Sequence, residues 1–269
     1  MLELEGKTAV VIGAASGIGR ATVELYAELG VPVLCADLNG DGAEAVASAI
    51  RASGADARSF QVDTADEGQV SAMVDAAVEA WGQLDILVNC AQAAGETAMR
   101  DGAVGDMDLD LWEKSFAVLA RGPMLGCKHA VRVMLPRGTG SIVNVSSSHS
   151  LIGELGQTAY GAAKGAVNSL TRYVATQYGK AGIRCNTVVP GPTLTPALVD
   201  NTSEELRQML MDSALTPYLG EPQDLARSIV FVSSPWARYI TGEIICANGG
   251  RTVHAATYAQ ELASEGEHA

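Results

Sequence analysis

The chain has 269 residues, 48% of them hydrophobic, and a formal net charge of −13. That acidity disfavours nucleic acid and anionic membrane surfaces as partners. No apolar run approaches the roughly 20 residues that span a bilayer. Met1-Leu2-Glu3-Leu4-Glu5-Gly6-Lys7 places no basic segment ahead of an apolar block, so no secretory leader is expected. The five cysteines include no Cys-x-x-Cys pair and read as buried, reduced thiols of a cytoplasmic protein. The four histidines are scattered without metal-ligand spacing, so no metal is expected.

Thr8–Ile12 reads as a short buried strand. Gly13-Ala14-Ala15-Ser16-Gly17-Ile18-Gly19 follows, then a helical pattern over Arg20–Leu29. Strand, glycine turn and helix is the order a phosphate site needs, because glycines let the backbone approach and the helix N-terminus supplies N–H groups. The second strand, Val31–Asp37, ends on an acid 18 residues beyond Gly19. Asp37 can take the ribose hydroxyls of an adenosine, or cap the next helix. A helix over Gly42–Ala52, a strand over Ala57–Asp63, a helix over Glu67–Trp81 and a strand over Leu84–Cys90 continue the alternation. Asp63 can meet an adenine edge, cap the following helix, or do both. Ala91–Met107 reads as a loop above the sheet.

A long helical pattern covers Leu109–Met134, with a kink or break expected near Gly122-Pro123. A strand over Ser141–Ser147, a loop over His149–Thr158 and a small-residue helix over Tyr160–Tyr178 come next. Ile183–Val189 is a strand that runs into Pro190-Gly191-Pro192-Thr193-Leu194-Thr195-Pro196, a rigid turn. Exposed helix Thr202–Ser213, helix Pro222–Ser233 and strand Glu243–Ala247 close a domain of residues 1–251, followed by a tail over 252–269. Seven strands alternating with helices predict an α/β fold, a doubly wound parallel sheet of Rossmann type covered on both faces. Gly13, Asp37, Asp63, Asn89, Ser147 and Pro190 all fall just past strand ends, the edge where such sheets bind ligands.

Tyr160 and Lys164 stand four apart, on one helix face. An ammonium beside a phenol favours the phenolate, so Lys164 is expected to lower the Tyr160 pKa and make Tyr160 a usable acid or base. Ser147 can bond the oxygen of an alcohol or ketone.

With this set in view, the chain resembles a short-chain dehydrogenase/reductase over about residues 5–251. The matching positions are Gly13-x-x-x-Gly17-x-Gly19, Asp37, Asp63, Asn89, Ser147, Tyr160-x-x-x-Lys164, Asn186-x-x-x-Pro190-Gly191 and Gly249-Gly250. The resemblance implies Tyr160 as acid/base, with Lys164 tuning it and binding the nicotinamide ribose, and Ser147 on the substrate oxygen. It implies Asp37 selecting NAD over NADP, and neither Ser16 nor Leu38 offers a charge to hold a 2′-phosphate. Asp63 and Asn89 would flank the adenosine half, with Thr64 and Ala91 beside them. Ile18 would lie at the nicotinamide end, and Thr193 and Thr195 on its carboxamide beyond Pro190. The resemblance further implies a homo-oligomer, tetramer or dimer, pairing the long helix and the Tyr160–Tyr178 helix.

Three positions depart from the family pattern. Ile12 replaces the usual Thr, and Asn89-Cys90-Ala91-Gln92 replaces Asn-Asn-Ala-Gly. In Val118-Leu119-Ala120-Arg121-Gly122, Leu119 stands where the family has a catalytic Asn. That Asn holds a relay water in the family, so a backbone carbonyl near Gly122-Pro123, or Ser115, is expected to serve instead. The leading expectation is an NAD-dependent alcohol dehydrogenase or ketone reductase acting on a small molecule. The alternatives are an NAD-binding sensor or scaffold with weak turnover, and a reductase of carbon–carbon double bonds. Candidate pocket residues are Gln92, Ala93, Ala94, His149, Leu151, Glu154 and Leu194–Leu210, although His149 and Glu154 can equally be solvated loop residues.

Overall fold

The computed structural model describes residues 2–92, 100–255 and 257–266. Strand β1 (Ala9–Ile12) leads through α1 (Gly17–Glu28) to β2 (Val33–Asp37), α2 (Gly40–Ala52), β3 (Ala57–Gln61), α3 (Glu67–Trp81) and β4 (Ile86–Asn89). The second half runs α4 (Leu109–Phe116), α5 (Gly122–Met134), β5 (Gly140–Val145), α6 (Thr158–Tyr178) and β6 (Ile183–Pro190). Two short helices, α7 (Pro196–Asn201) and α8 (Glu204–Asp212), precede α9 (Pro222–Ser233), β7 (Ile244–Ala247) and α10 (Tyr258–Gly266).

All seven strands are parallel, in the order β3-β2-β1-β4-β5-β6-β7. Alternate residues face opposite sides, so β1 divides between two cores. Ala9 and Val11 join α1, α2 and α9 through Val23, Val46 and Ile229. Val10 and Ile12 join α3, α5 and α6 through Met73, Leu125 and Val174. Strand order reverses between β1 and β4, which opens a crevice at their carboxyl ends.

The long helical segment breaks as expected, and its break has a defined form. Ala117–Arg121 is a π-helical turn in which the Gly122 N–H bonds the Ala117 carbonyl. Pro123 carries no N–H, so the Leu119 carbonyl lacks its ordinary donor four residues on. Gly122 lets this turn lie on Thr64, since a Cβ there would sit 2.9 Å from both Thr64 Cβ and Thr64 Oγ1.

Other boundaries differ for local reasons. The helix expected over Thr202–Ser213 is α8, capped by Ser203 through its bond to Leu206 N–H, and a short helix that was not expected, α7, starts before it at Pro196. The loop after β4 contains a short 3-10 turn at Val104–Asp106; Ala93 and Ala94 lie outside the described residues. Four cysteines are buried, but Cys246 is exposed because it sits on edge strand β7. The tail forms a helix, α10. Among the described residues no helix is long and apolar enough to cross a membrane, and none of the His, Cys, Asp and Glu groupings could hold a metal ion.

A buried polar chain ties the two halves of the sheet. Asn89 Nδ2 donates to Asn144 Oδ1 at 2.7 Å, Asn144 Nδ2 donates to Thr171 Oγ1 at 2.8 Å, and Thr171 meets Thr187 at 2.7 Å. Helix α5 closes over Asn89 at Gly126, where an added Cβ would collide with Asn89 Oδ1. Gly126→Ala should therefore destabilise the fold by about 1–3 kcal/mol. A urea midpoint lowered accordingly is the expected result; an unchanged midpoint would contradict this packing.

Candidate active site

The glycine turn sits in the crevice between β1 and β4, and three of its glycines cannot carry side chains. Gly13 has φ 89°, and a Cβ there would lie 2.8 Å from the Ala91 N. A Cβ on Gly19 would collide with the Gly13 carbonyl, and one on Gly17, at φ 53°, would press Thr195 Cγ2 at 3.1 Å. Thr195 is thus brought from the far half of the chain onto the turn. Helix α1 begins here with no acid in its first turn, and exposed Ser16 makes no side-chain cap. Its N–H groups remain available to an anion. Half-buried Ile18 packs against the core below.

Asp37 ends β2 beside this turn. Its carboxylate accepts the Ala15 N–H at 3.0 Å and the Asn39 N–H at 2.9 Å. It does not cap α2, because Asn39 does so by accepting the Gly42 N–H. Leu38 is 65% exposed and brings no charge. The cradle therefore fits a pyrophosphate against α1 and an adenosine ribose at Asp37.

One expectation at this edge needs correction. Asp63 does not cap α3; Asp66 does, while Asp63 Oδ1 accepts the Ala65 N–H at 2.8 Å in a tight turn. Thr64 is buried beneath Gly122. The Asn89 side chain is buried: its Nδ2 donates inward to Asn144 Oδ1, while its Oδ1 finds no partner among the described residues. Thr193 is buried just after Pro190 ends β6, and its Oγ1 donates to the Gly191 carbonyl at 2.9 Å.

Ser147, Tyr160 and Lys164 lie together past the end of β5. Lys164 is 1% exposed, and its Nζ donates to the Val145 carbonyl at 2.9 Å. Burial pushes its pKa down to about 8. The ammonium lies 5.8 Å from the Tyr160 ring centroid. The expected lowering of the Tyr160 pKa by Lys164 is not what the structure gives. Burial raises the phenol above its ordinary value, and the opposing pull comes from the Ser147 hydroxyl. Tyr160 is therefore a protonated phenol at neutral pH, suited to donate.

Two residues of the site, Asp101 and Arg251, carry no local sequence signal. Gln157 enters α6 with φ 58° and makes no side-chain cap. Asp101, some 58 residues away, supplies the cap instead: its carboxylate accepts the Ala159 N–H at 2.9 Å and the Tyr160 N–H at 2.8 Å. The other, Arg251, stands with His149 and Glu154. His149 Nε2 meets Glu154 Oε2 at 3.1 Å, and Arg251 donates to Glu154 Oε1 at 2.9 Å. His149 and Glu154 are thus organised groups beside Ser147, not free loop side chains. Among the remaining pocket candidates, Gln92 is exposed at the loop and Leu151 at the turn after Ser147.

A family model described as Enoyl-(Acyl carrier protein) reductase matches residues 13–252. The chain is 37% identical to the 7alpha-hydroxysteroid dehydrogenase of Bacteroides fragilis, across 94% of this chain and 97% of that protein. It is 38% identical to the cis-4-hydroxycyclohexanecarboxylate dehydrogenase of Sinomonas cyclohexanicum, across 91% and 96%. A solved 7α-hydroxysteroid dehydrogenase, complexed with NADH and 7-oxo glycochenodeoxycholic acid, superposes with a TM-score of 0.87 at 30% identity. That match covers 93% of this chain and 95% of the other. The chain belongs to the short-chain dehydrogenase/reductase family. As a member it is an oxidoreductase of the alcohol–ketone type.

Lys164 makes a pH prediction. Its folded pKa, about 8, lies below its ordinary 10.5. Below pH 8 the lysine is charged in both states and its burial cost stays in full. Between the two values the unfolded chain binds more protons, so stability rises with pH. Relative to Lys164→Met, the wild type should gain on the order of 2–3 kcal/mol across that window. Parallel unfolding curves for the two proteins would contradict a buried ammonium.

Proposed function

We propose that the protein is an NAD(H)-dependent oxidoreductase that interconverts a secondary alcohol on a six-membered carbocycle and the corresponding ketone. The observation that carries this reading is the grouping of Ser147, Tyr160 and Lys164 beside a glycine cradle that reaches Asp37. The relatives named for a hydroxysteroid and for a hydroxycyclohexanecarboxylate support the ring alcohol as substrate class.

When bound, NAD(H) takes or supplies the hydride. The chain's own residues do the rest. Asp37 accepts from the ribose hydroxyls and repels a 2′-phosphate. Gly13, Gly17 and Gly19 bring the backbone close to the phosphates. Thr193 and Thr195 hold the nicotinamide end against Ile18, and Lys164 reaches the nicotinamide ribose. Ser147 and Tyr160 grip the substrate oxygen. In reduction Tyr160 gives its proton to that oxygen; in oxidation it must first lose the proton, so the oxidation rate rises with pH. The Leu119 carbonyl, which Pro123 deprives of its ordinary donor four residues on, takes the relay role of the missing Asn side chain. Ser115 is buried on α4, a turn earlier.

Reduction of a carbon–carbon double bond, suggested by the family model's description, has less support. A pair of hydroxyls is suited to an oxygen atom, not to an alkene carbon. A sensor without turnover rests on Leu119 alone. We also propose a homo-oligomer, dimer or tetramer, formed through α5 and α6, where Met124 and Tyr173 are exposed.

Tyr160→Phe should keep NAD binding and lose most turnover, because only the hydroxyl is removed; turnover near wild type would sink the mechanism. Asp37→Ala should narrow the preference for NAD over NADP by about 1–3 kcal/mol, read as the ratio of kcat/KM values. A wild-type preference for NADP would show that Asp37 is misassigned.

A further inference from the structure

His149 occupies a place that neither the proposed hydride transfer nor the cofactor cradle uses. Its Nδ1 lies 3.1 Å from Ser147 Oγ, and its ring meets the Tyr160 ring edge-on with centroids 5.5 Å apart. Its backbone packs on Gly161, the residue after Tyr160, where a Cβ would lie 3.1 Å from the His149 carbonyl oxygen. The opposite ring nitrogen, Nε2, faces Glu154, and Arg251 anchors that carboxylate from beyond β7.

These contacts decide the tautomer. A neutral imidazole has one N–H and one lone pair. Glu154 only accepts, so the N–H belongs on Nε2 and the lone pair on Nδ1. Ser147 has one hydrogen, and its oxygen already accepts the His149 backbone N–H at 3.3 Å. Neutral His149 thus offers a lone pair to the Ser147 hydrogen in competition with the Tyr160 oxygen, and when it takes that hydrogen Ser147 faces the substrate as an acceptor. Protonated His149 carries N–H on both nitrogens and donates to Ser147, whose hydrogen then swings to the substrate. An alcohol can satisfy an acceptor until its hydrogen passes to Tyr160; a ketone oxygen needs a donor.

We propose that His149 is a positioning residue for Ser147: its neutral ring holds the Ser147 hydroxyl as an acceptor for an alcohol, and its protonated ring turns that hydroxyl into a donor for a ketone. The inference rests on Ser147 being the group that meets the substrate oxygen. The charged and titratable groups around the ring are Glu154 and Asp101, which favour its protonation, Arg251, which opposes it, and the Tyr160 phenol. Burial outweighs them and holds the His149 pKa below its ordinary value, so the switch falls on the acid side of neutrality.

Ketone affinity should then rise as pH falls through the His149 transition. The probe is cyclohexanone bound to the protein loaded with NAD+, where no hydride is available to reduce it. Between about pH 8 and about pH 5 the dissociation constant should fall by about tenfold or more, the worth of one charge-assisted hydrogen bond. In His149→Asn, which does not titrate, that dependence should vanish. In Glu154→Gln the transition should move to lower pH. An identical pH dependence in wild type and His149→Asn would overturn the proposal. A readout free of substrate is the 15N spectrum of the neutral ring: N–H on Nε2 is expected, and N–H on Nδ1 would overturn it even if cyclohexanone binds too weakly to measure. Ser147→Ala separates the two readings. If it keeps wild-type turnover, the active-site assignment itself fails; if it loses turnover while His149→Asn keeps the wild-type pH dependence, only the role of His149 fails.

Discussion

The Lys164 ammonium is held inside the protein on one backbone oxygen, and the geometry of the site follows from keeping it there. A buried charge is tolerated only with a fixed partner, and the Val145 carbonyl at the end of β5 is that partner. The same junction is tied a second time by Ser146 Oγ, which donates to the Lys164 carbonyl at 3.0 Å. Asp101 fixes the start of α6 from outside through the Ala159 and Tyr160 amides. A helix pinned to one strand end at these points can present Tyr160 to Ser147 in only one way. The short loop between β5 and α6 then brings His149 against both.

The cofactor cradle depends on a different constraint, close approach of backbone. Gly13 lies on Ala91 and Gly17 lies on Thr195, so β1, the loop after β4 and the turn after β6 converge where the strand order reverses. A side chain at either glycine would push these segments apart. The cradle and the Tyr160 cluster are thus neighbours because the sheet is parallel and its crossovers return every strand end to one edge.

Much of this was legible in the sequence, for identifiable reasons. Six of the seven strands are short, mostly apolar runs, and Gly13, Asp37, Asn89, Ser147 and Pro190 at their ends lie at the site edge. Gly13, Asp37, Tyr160 and Lys164 carry their roles in local spacing. What failed to show was set by distance or by burial. Asp66, not Asp63, caps α3, and either acid satisfied the local pattern. The inward turn of Asn89 depends on Asn144, 55 residues away. Asp101 reaches α6 across 58 residues, and Arg251 reaches Glu154 across 97. The Tyr160 pKa was misjudged because the i, i+4 spacing shows that Lys164 is near, but not that both groups are desolvated. Pro123 announced the helix break; its form as a π turn reflects the fit of Gly122 on Thr64.

The measurement that tests the account most directly is NADH formation when the protein is given NAD+ and a panel of secondary alcohols on six-membered rings, with open-chain primary alcohols as controls. NADH should form with at least one ring alcohol, faster as pH rises. Tight NAD+ binding with no NADH from any alcohol in the panel would contradict an alcohol–ketone oxidoreductase and leave a dinucleotide-binding protein in its place.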